Sequence, residues 1–160
     1  MSRVQELIQQ LGLVPHPEGG FFRRVFLSSR RVLPQDGRPE RLALTSIYFL
    51  LVRGNPSRWH RVASDEAWHF YEGSPVELLW IDPGFRAVHR RRLGPVGPGV
   101  RPVVVIPAGA WQAAYTLGDY TLVGCTVGPG FDYQDFTLMR HDPHARHHLL
   151  HRFPALQTLL

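Results

Sequence analysis

Gly54–Gly73, GNPSRWHRVASDEAWHFYEG, is the stretch whose reading decides the fold. Two segments that alternate apolar and polar residues, Ser57–Val62 and Glu66–Tyr71, flank the short polar turn Ala63-Ser64-Asp65. A period of two is the mark of a half-buried strand. Antiparallel strands joined by such a turn are expected to point the His60 imidazole and the Glu66 carboxylate into one shared interior. A second piece, Pro107–Gln112 (PAGAWQ), brings in an amide after a Pro/Gly turn. Together they predict a small β-barrel with a polar pocket.

Outward from this stretch the chain reads as all-β. Ala43–Val52, Val76–Ile81, Arg86–Leu93, Val103–Ile106, Gln112–Thr116 and Thr121–Val127 are short strand patterns separated by Gly/Pro turns. Phe21–Leu27 is a further strand, and Arg30–Arg41 is expected to be an exposed loop. Such a density of short strands favours a sandwich or closed barrel over a βαβ fold. Val4, Leu7, Ile8 and Leu11 predict an opening helix within residues 1–13, ended by Gly12 and Pro15. Residues 16–138 form the barrel. Residues 139–160 are a helical tail, rich in His and Leu, in which Pro154 kinks or restarts the helix.

With 160 residues the chain is most simply one domain. No apolar run approaches the length of a membrane span, and Glu6 with three glutamines interrupts what would be a signal sequence. The expected location is therefore cytoplasmic, with no membrane partner. The one cysteine, Cys125, lies in an apolar run and reads as a small core residue. All 18 basic side chains are Arg, for a formal net charge of +5. They are scattered in pairs and one triplet, Arg90-Arg91-Arg92, with no basic helix, so a solvated surface is expected rather than a nucleic-acid partner.

The pattern Gly54-x5-His60-x-Val62-x3-Glu66-x6-Gly73 resembles the first cupin motif, with Val62 where a second His is usual. Pro107-x-Gly109-x2-Gln112 resembles the second motif, with Gln112 in place of its His. His16-Pro-Glu-Gly-Gly20, Ser64–Tyr71 (SDEAWHFY), Pro107–Gln112 and Pro129–Asp132 before Asp135-Phe136 are similar to the recurring phrases of one cupin subfamily, Cupin_5, a domain of unknown function. The resemblance spans about the whole chain. It implies a single-domain jelly-roll β-barrel, all-β with short helices at each end, commonly assembled as a homodimer.

Metal-binding cupins hold an ion with three His and one Glu. The matching positions here are His60, Val62, Glu66 and Gln112, a set that suits at most a weakly bound divalent metal. Without a metal, His60 and Glu66 are the candidate catalytic residues, an acid–base pair with Gln112 as hydrogen-bond donor to a substrate oxygen. Trp68, Phe70, Trp111 and Tyr48 are candidate pocket walls. His69, which alternation sends outward unless a bulge intervenes, is kept as a ligand-binding candidate. Glu18 at the barrel end, Arg23 as an anion anchor, Glu77 as a lining group and Asp132 and Asp135 as mouth caps are weaker candidates. The histidines of the tail, His141, His144, His147, His148 and His151, are expected to bind metal only adventitiously, which favours metal analysis on a chain ending near Met139. The leading function is binding of a small molecule, with isomerase- or epimerase-like acid–base chemistry on a sugar-like or carbonyl compound. The alternatives are a metal-dependent, oxygenase-like cupin and a non-catalytic, storage-like ligand-binding module.

Overall fold

A computed structural model describes residues 1–160. Helix α1 (Arg3–Leu11) opens the chain. The Ser2 hydroxyl accepts the Gln5 amide at 3.3 Å while the Gln5 side chain accepts the Ser2 amide at 2.8 Å, a capping box that satisfies two otherwise free donors. Gly12, at φ 61°, ends the helix in the left-handed conformation.

The strands follow in order: β1 (Val14–Pro15), β2 (Phe21–Leu27), β3 (Arg31–Val32), β4 (Arg41–Leu42), β5 (Thr45–Val52), β6 (Ser57–Val62) and β7 (Asp65–Gly73). Then come β8 (Val76–Ile81), β9 (Val88–Leu93), β10 (Val100–Arg101), β11 (Val103–Ile106), β12 (Trp111–Thr116), β13 (Tyr120–Gly128) and β14 (Phe136–Leu138). Helix α2 (Pro143–Arg152) and a 3₁₀ segment, Pro154–Leu159, complete the chain. None of the helices is long and apolar enough to cross a membrane.

Two six-stranded sheets, β1-β2-β5-β13-β7-β11 and β10-β9-β8-β12-β6-β14, carry the jelly roll. The fold is thus all-β as expected, built as two facing sheets. The expected loop at 30–41 holds a small ribbon, because β3 pairs with β4.

The decisive stretch folds differently from a hairpin. β6 pairs with β12 and β14 in one sheet, whereas β7 pairs with β13 and β11 in the other. The turn at 63–65 is a corner from one sheet to its partner. Alternation fixes which residues face inward but not which strand lies alongside, so the sequence pattern fits both arrangements. His60 and Glu66 consequently belong to opposite walls of one interior.

Three apolar clusters hold the layers together. Phe49, Leu51, Trp68, Leu78, Leu93 and Val123 are among those filling the space between the sheets. Trp59, Leu79, Ile81 and Trp111 lie on the outer face of the second sheet under Ala145, Leu149 and Leu159 of the C-terminal segment. Leu50 and Leu122 lie on the outer face of the first sheet under Leu7 and Leu13. Burial of this kind contributes roughly 25 cal/mol per Å² of apolar surface.

Candidate functional site

At one end of the sandwich the core gives way to a cavity of about 40 Å³. By the measure in which one water needs ~10–15 Å³, this holds about three waters or a few ligand atoms. Phe22, Ile47, Phe49, Val62, Val127 and Phe131 supply apolar wall, and His16, Glu18, His60 and Glu66 are among the titratable groups, with Cys125 and Tyr133 beside them. Arg24 is the single guanidinium lining it.

The local backbone explains how these groups meet. In β6, Gln112 faces His60 but Ala114 faces Ser57, so three residue steps oppose two. This bulge changes the parity of the strand, and Ser57 and His60 both turn inward. Glu18 arrives from the turn between β1 and β2. That turn is closed by His16 N–H to the Gly20 carbonyl and Gly19 N–H to the His16 carbonyl, each 3.0 Å, and is tied to β6 by Arg58 N–H to the Glu18 carbonyl at 2.8 Å. Glu66 enters from β7 on the opposite sheet.

The Glu18 carboxyl is the hub of the polar contacts. One oxygen accepts the Ser57 hydroxyl at 2.7 Å, and the other lies 3.2 Å from His60 Nε2 and 3.6 Å from His16 Nδ1. His60 Nδ1 donates to the Arg58 carbonyl at 2.7 Å. His16 Nδ1 accepts the Glu18 amide at 3.2 Å. Across the cavity floor, the Trp68 indole N–H donates to Gln112 Oε1 at 3.1 Å.

Burial dominates the acidities. It pushes Glu18 up to about 8, with the Ser57 hydrogen bond opposing. It pushes Glu66 up to about 7; the field of His60 opposes this, the field of Glu18 reinforces it, and hydrogen bonds from Trp68 and Gln112 hold part of it back. Burial also pulls His16 down to about 3, helped by repulsion from His60, and lowers His60 against the fields of Glu66 and the Arg58 carbonyl. At neutral pH the two imidazoles are uncharged and Glu66 is poised to take or release a proton.

Of the residues singled out from the sequence, His60 and Glu66 meet at this cavity. Gln112 and Trp68 lie just beneath, and Phe70 packs against the interior core. Three expected wall or ligand residues stand elsewhere. Tyr48 alternates with Ile47 and Phe49 and faces outward, edge-on to Tyr71. Trp111 lies under the C-terminal segment on the outside of the second sheet, with Arg61 over its ring. His69 pairs with Gly124 and Val103 and, two residues from Ala67 and flanked by inward Trp68 and Phe70, faces away from the cavity. The bulge in β7 falls after Phe70 rather than before it, so it cannot turn His69 inward.

The weaker candidates sort as clearly. Arg24, not Arg23, lines the cavity, whereas Arg23 reaches over Gly12 at the end of α1. Glu77 is on the outer face, 3.2 Å from Arg92. Asp135 is locked between Arg41 at 2.8 Å and Arg38 at 2.9 Å. Ser57, Cys125 and Tyr133 have no distinguishing local signal, whereas His16 and Phe131 lie in quoted phrases, His16–Gly20 and Pro129–Asp132, that do not show which way their side chains face. Glu18 does have such a signal, an acid set between Pro17 and Gly19-Gly20 beside His16, but its partners are remote in sequence.

The donor set does not fit the metal centre of metal-binding cupins. Val62 offers no ligand, Gln112 Oε1 is taken by Trp68, and His60 Nε2 faces Glu18. With Oε1 engaged, Gln112 has its N–H₂ left to offer, and that group cannot ligate. Nowhere do three or more His, Cys, Asp or Glu side chains converge as a set that could hold a metal ion.

Known proteins share both sequence and architecture with this chain. A hypothetical protein from Leishmania major is 31% identical, with 99% of this chain and 96% of that one covered and a TM-score of 0.81. A protein from Shewanella oneidensis is 32% identical over 99% of this chain and 95% of that one, with a TM-score of 0.83. An uncharacterized protein of Saccharomyces cerevisiae is 24% identical over 91% of this chain and 80% of its own length. The profile of Cupin_5, described as Cupin superfamily (DUF985), matches residues 5–139, and the chain is a member of that family.

Proposed function

We propose that the protein binds a small carbonyl compound in this cavity and interconverts its isomers by metal-independent acid–base chemistry. The observation that carries this reading is the placing of Glu18, His60 and Glu66 on one small apolar cavity, with the Glu66 carboxyl at about 7. A base of that strength, shielded from water, can remove a proton from carbon beside a carbonyl at neutral pH and return it. The C–H electrons move into a new C=C bond, and the carbonyl electrons move to oxygen, where a hydrogen-bond donor lining the cavity, Glu18, steadies them. The cavity size favours a compound of a few heavy atoms over a nucleotide-linked sugar. Arg24 favours one that carries an anionic end.

Both ring nitrogens of His60 are engaged within the protein. Glu66 therefore replaces His60 in this scheme as the base that meets substrate. The test is hydrogen exchange into D₂O, followed by proton NMR, on a panel of short 2-oxo acids and hydroxy ketones. Wild-type protein is expected to catalyse exchange at carbon on at least one member. Glu66→Gln is expected to lower that rate about 10²-fold or more, the usual weight of a positioned base. Binding without exchange would favour a non-catalytic ligand-binding module, and full activity in Glu66→Gln would overturn the assignment.

A further inference from the structure

The hydrogen-bond pattern around His60 fixes where a proton sits. The Arg58 carbonyl oxygen can only accept, and it lies 2.7 Å from Nδ1, so Nδ1 carries the ring hydrogen. In a neutral ring Nε2 is then a lone pair. A Glu18 carboxyl oxygen lies 3.2 Å from Nε2. Two acceptors would repel at this distance, so one of the two must hold a hydrogen. The other Glu18 oxygen already accepts the Ser57 hydroxyl at 2.7 Å. An imidazolium–carboxylate pair would satisfy the same distances, but it sets two charges where His60 is 1% and Glu18 6% exposed, with a second carboxyl, Glu66, on the same cavity.

We infer that Glu18 is a neutral carboxylic acid that donates its proton to His60 Nε2, and that His60 is the positioning residue which orients this acid towards the ligand. The acid has one proton to donate: without ligand it lies towards Nε2, and in the proposed function, on which the catalytic half of this statement rests, it turns to the ligand carbonyl oxygen while Glu66 serves as base. The location of the proton without ligand does not rest on that function. The turn carrying Glu18 thus supplies the group that completes the site.

The groups facing this pair from the surrounding elements are His16 from the same turn, Arg24 from β2, Glu66 from β7, Cys125 from β13 and Tyr133 from the segment after β13. Burial holds the Cys125 thiol and the His16 ring uncharged at neutral pH. Arg24 is left as the one permanent charge, and Glu66 as the one group titrating near pH 7.

The experiment is nitrogen-15 NMR of the His60 ring, with infrared difference spectroscopy of wild type against Glu18→Gln, on the full chain without ligand. At pH 6.5 the expected result is a neutral ring with Nδ1 protonated, together with the carbonyl stretch of an un-ionised carboxylic acid that Glu18→Gln removes. The amide of Glu18→Gln can donate to Nε2 and accept from Ser57 as the acid does, so the His60 nitrogen shifts are expected to remain those of the same tautomer. Two protonated ring nitrogens in wild type, with one lost in Glu18→Gln, would identify an ion pair and overturn the inference. Failure of exchange activity in Glu66→Gln or across the substrate panel leaves these spectra unchanged, so the two readings fail separately. If exchange is found, Glu18→Gln is expected to slow it at least tenfold with the tautomer retained. An unchanged rate would remove Glu18 from the chemistry.

Discussion

Gly19 has φ 113°, a region that side-chain-bearing residues rarely enter, and a Cβ there would collide with the Pro56 carbonyl. This close approach presses the turn against the start of β6 and delivers Glu18 to Ser57 and His60. Gly19→Ala is therefore expected to cost about 2 kcal/mol or more, from backbone strain and the displaced turn together. Urea denaturation checks it, and a loss below about 0.5 kcal/mol would mean that the turn relaxes freely. Legibility divides along the same line. His60, Glu66 and Gln112 could be found because each sits in a spaced pattern that alternation aims inward. Glu18 reads from the sequence as a barrel-end group or as simple turn chemistry, since its meaning comes from a bulge in a strand far along the chain. Tyr48 is a candidate wall only through an assumed strand register, and Trp111 only as an aromatic neighbour of Gln112, and neither ground says which face of the sheet the ring occupies.

The C-terminal segment shows how an element can be legible while its partner is not. Its leucine spacing predicted a helix, and α2 forms with Asp142 as its cap, accepting the Ala145 amide at 3.0 Å. The periodicity does not reveal what that apolar stripe covers. In the structure Leu149 is fully buried against a cluster that includes Trp59 and Trp111, so the tail is the third layer over the second sheet. Leu149→Ala is expected to destabilise the protein by about 3 kcal/mol, within the usual range for a truncated core leucine. A chain ending at Met139 is expected to aggregate, because both indoles would lose their cover. Equilibrium denaturation and solubility measure the two effects. A soluble, cooperatively folding truncation would show that the layer is dispensable. Metal analysis is accordingly better served by replacing His144 and His148, whose Nε2 atoms lie 3.2 Å apart on the exposed face, than by cutting the tail. The corner between β6 and β7 carries the same lesson. Alternation set the inward faces of both strands correctly, but pairing is a long-range property and the hairpin expected from proximity did not form.

At the scale of the whole molecule, the buried titratable groups set opposing demands on stability. Glu18 and Glu66 have acidities raised from about 4.5 to about 8 and about 7. The folded state keeps their protons while the unfolded chain releases them, so their contribution is fully present below pH 4.5 and is lost as pH rises through 7 and 8. His16, lowered from 6.5 to about 3, and His60, also lowered, act in the opposite sense. Their contribution is present above pH 6.5 and is lost on acidification. Between pH 4.5 and 6.5 the histidines therefore oppose the carboxyls. Above 6.5 the histidines are silent and only the carboxyl penalty grows. Over the rise from pH 6.5 to 8, Glu18 alone removes about 2 kcal/mol, at ~1.4 kcal/mol for each pH unit of unequal protonation. In a chain of this size that lowers Tm by roughly 4–8 °C. Calorimetry across this range is expected to show that fall, with Glu18→Gln removing most of it and Glu66→Gln a smaller share. A Tm that holds or rises from pH 6.5 to 8 would mean that both carboxyls are already ionised in the folded protein, with a cation or water reaching the cavity floor to stabilise them.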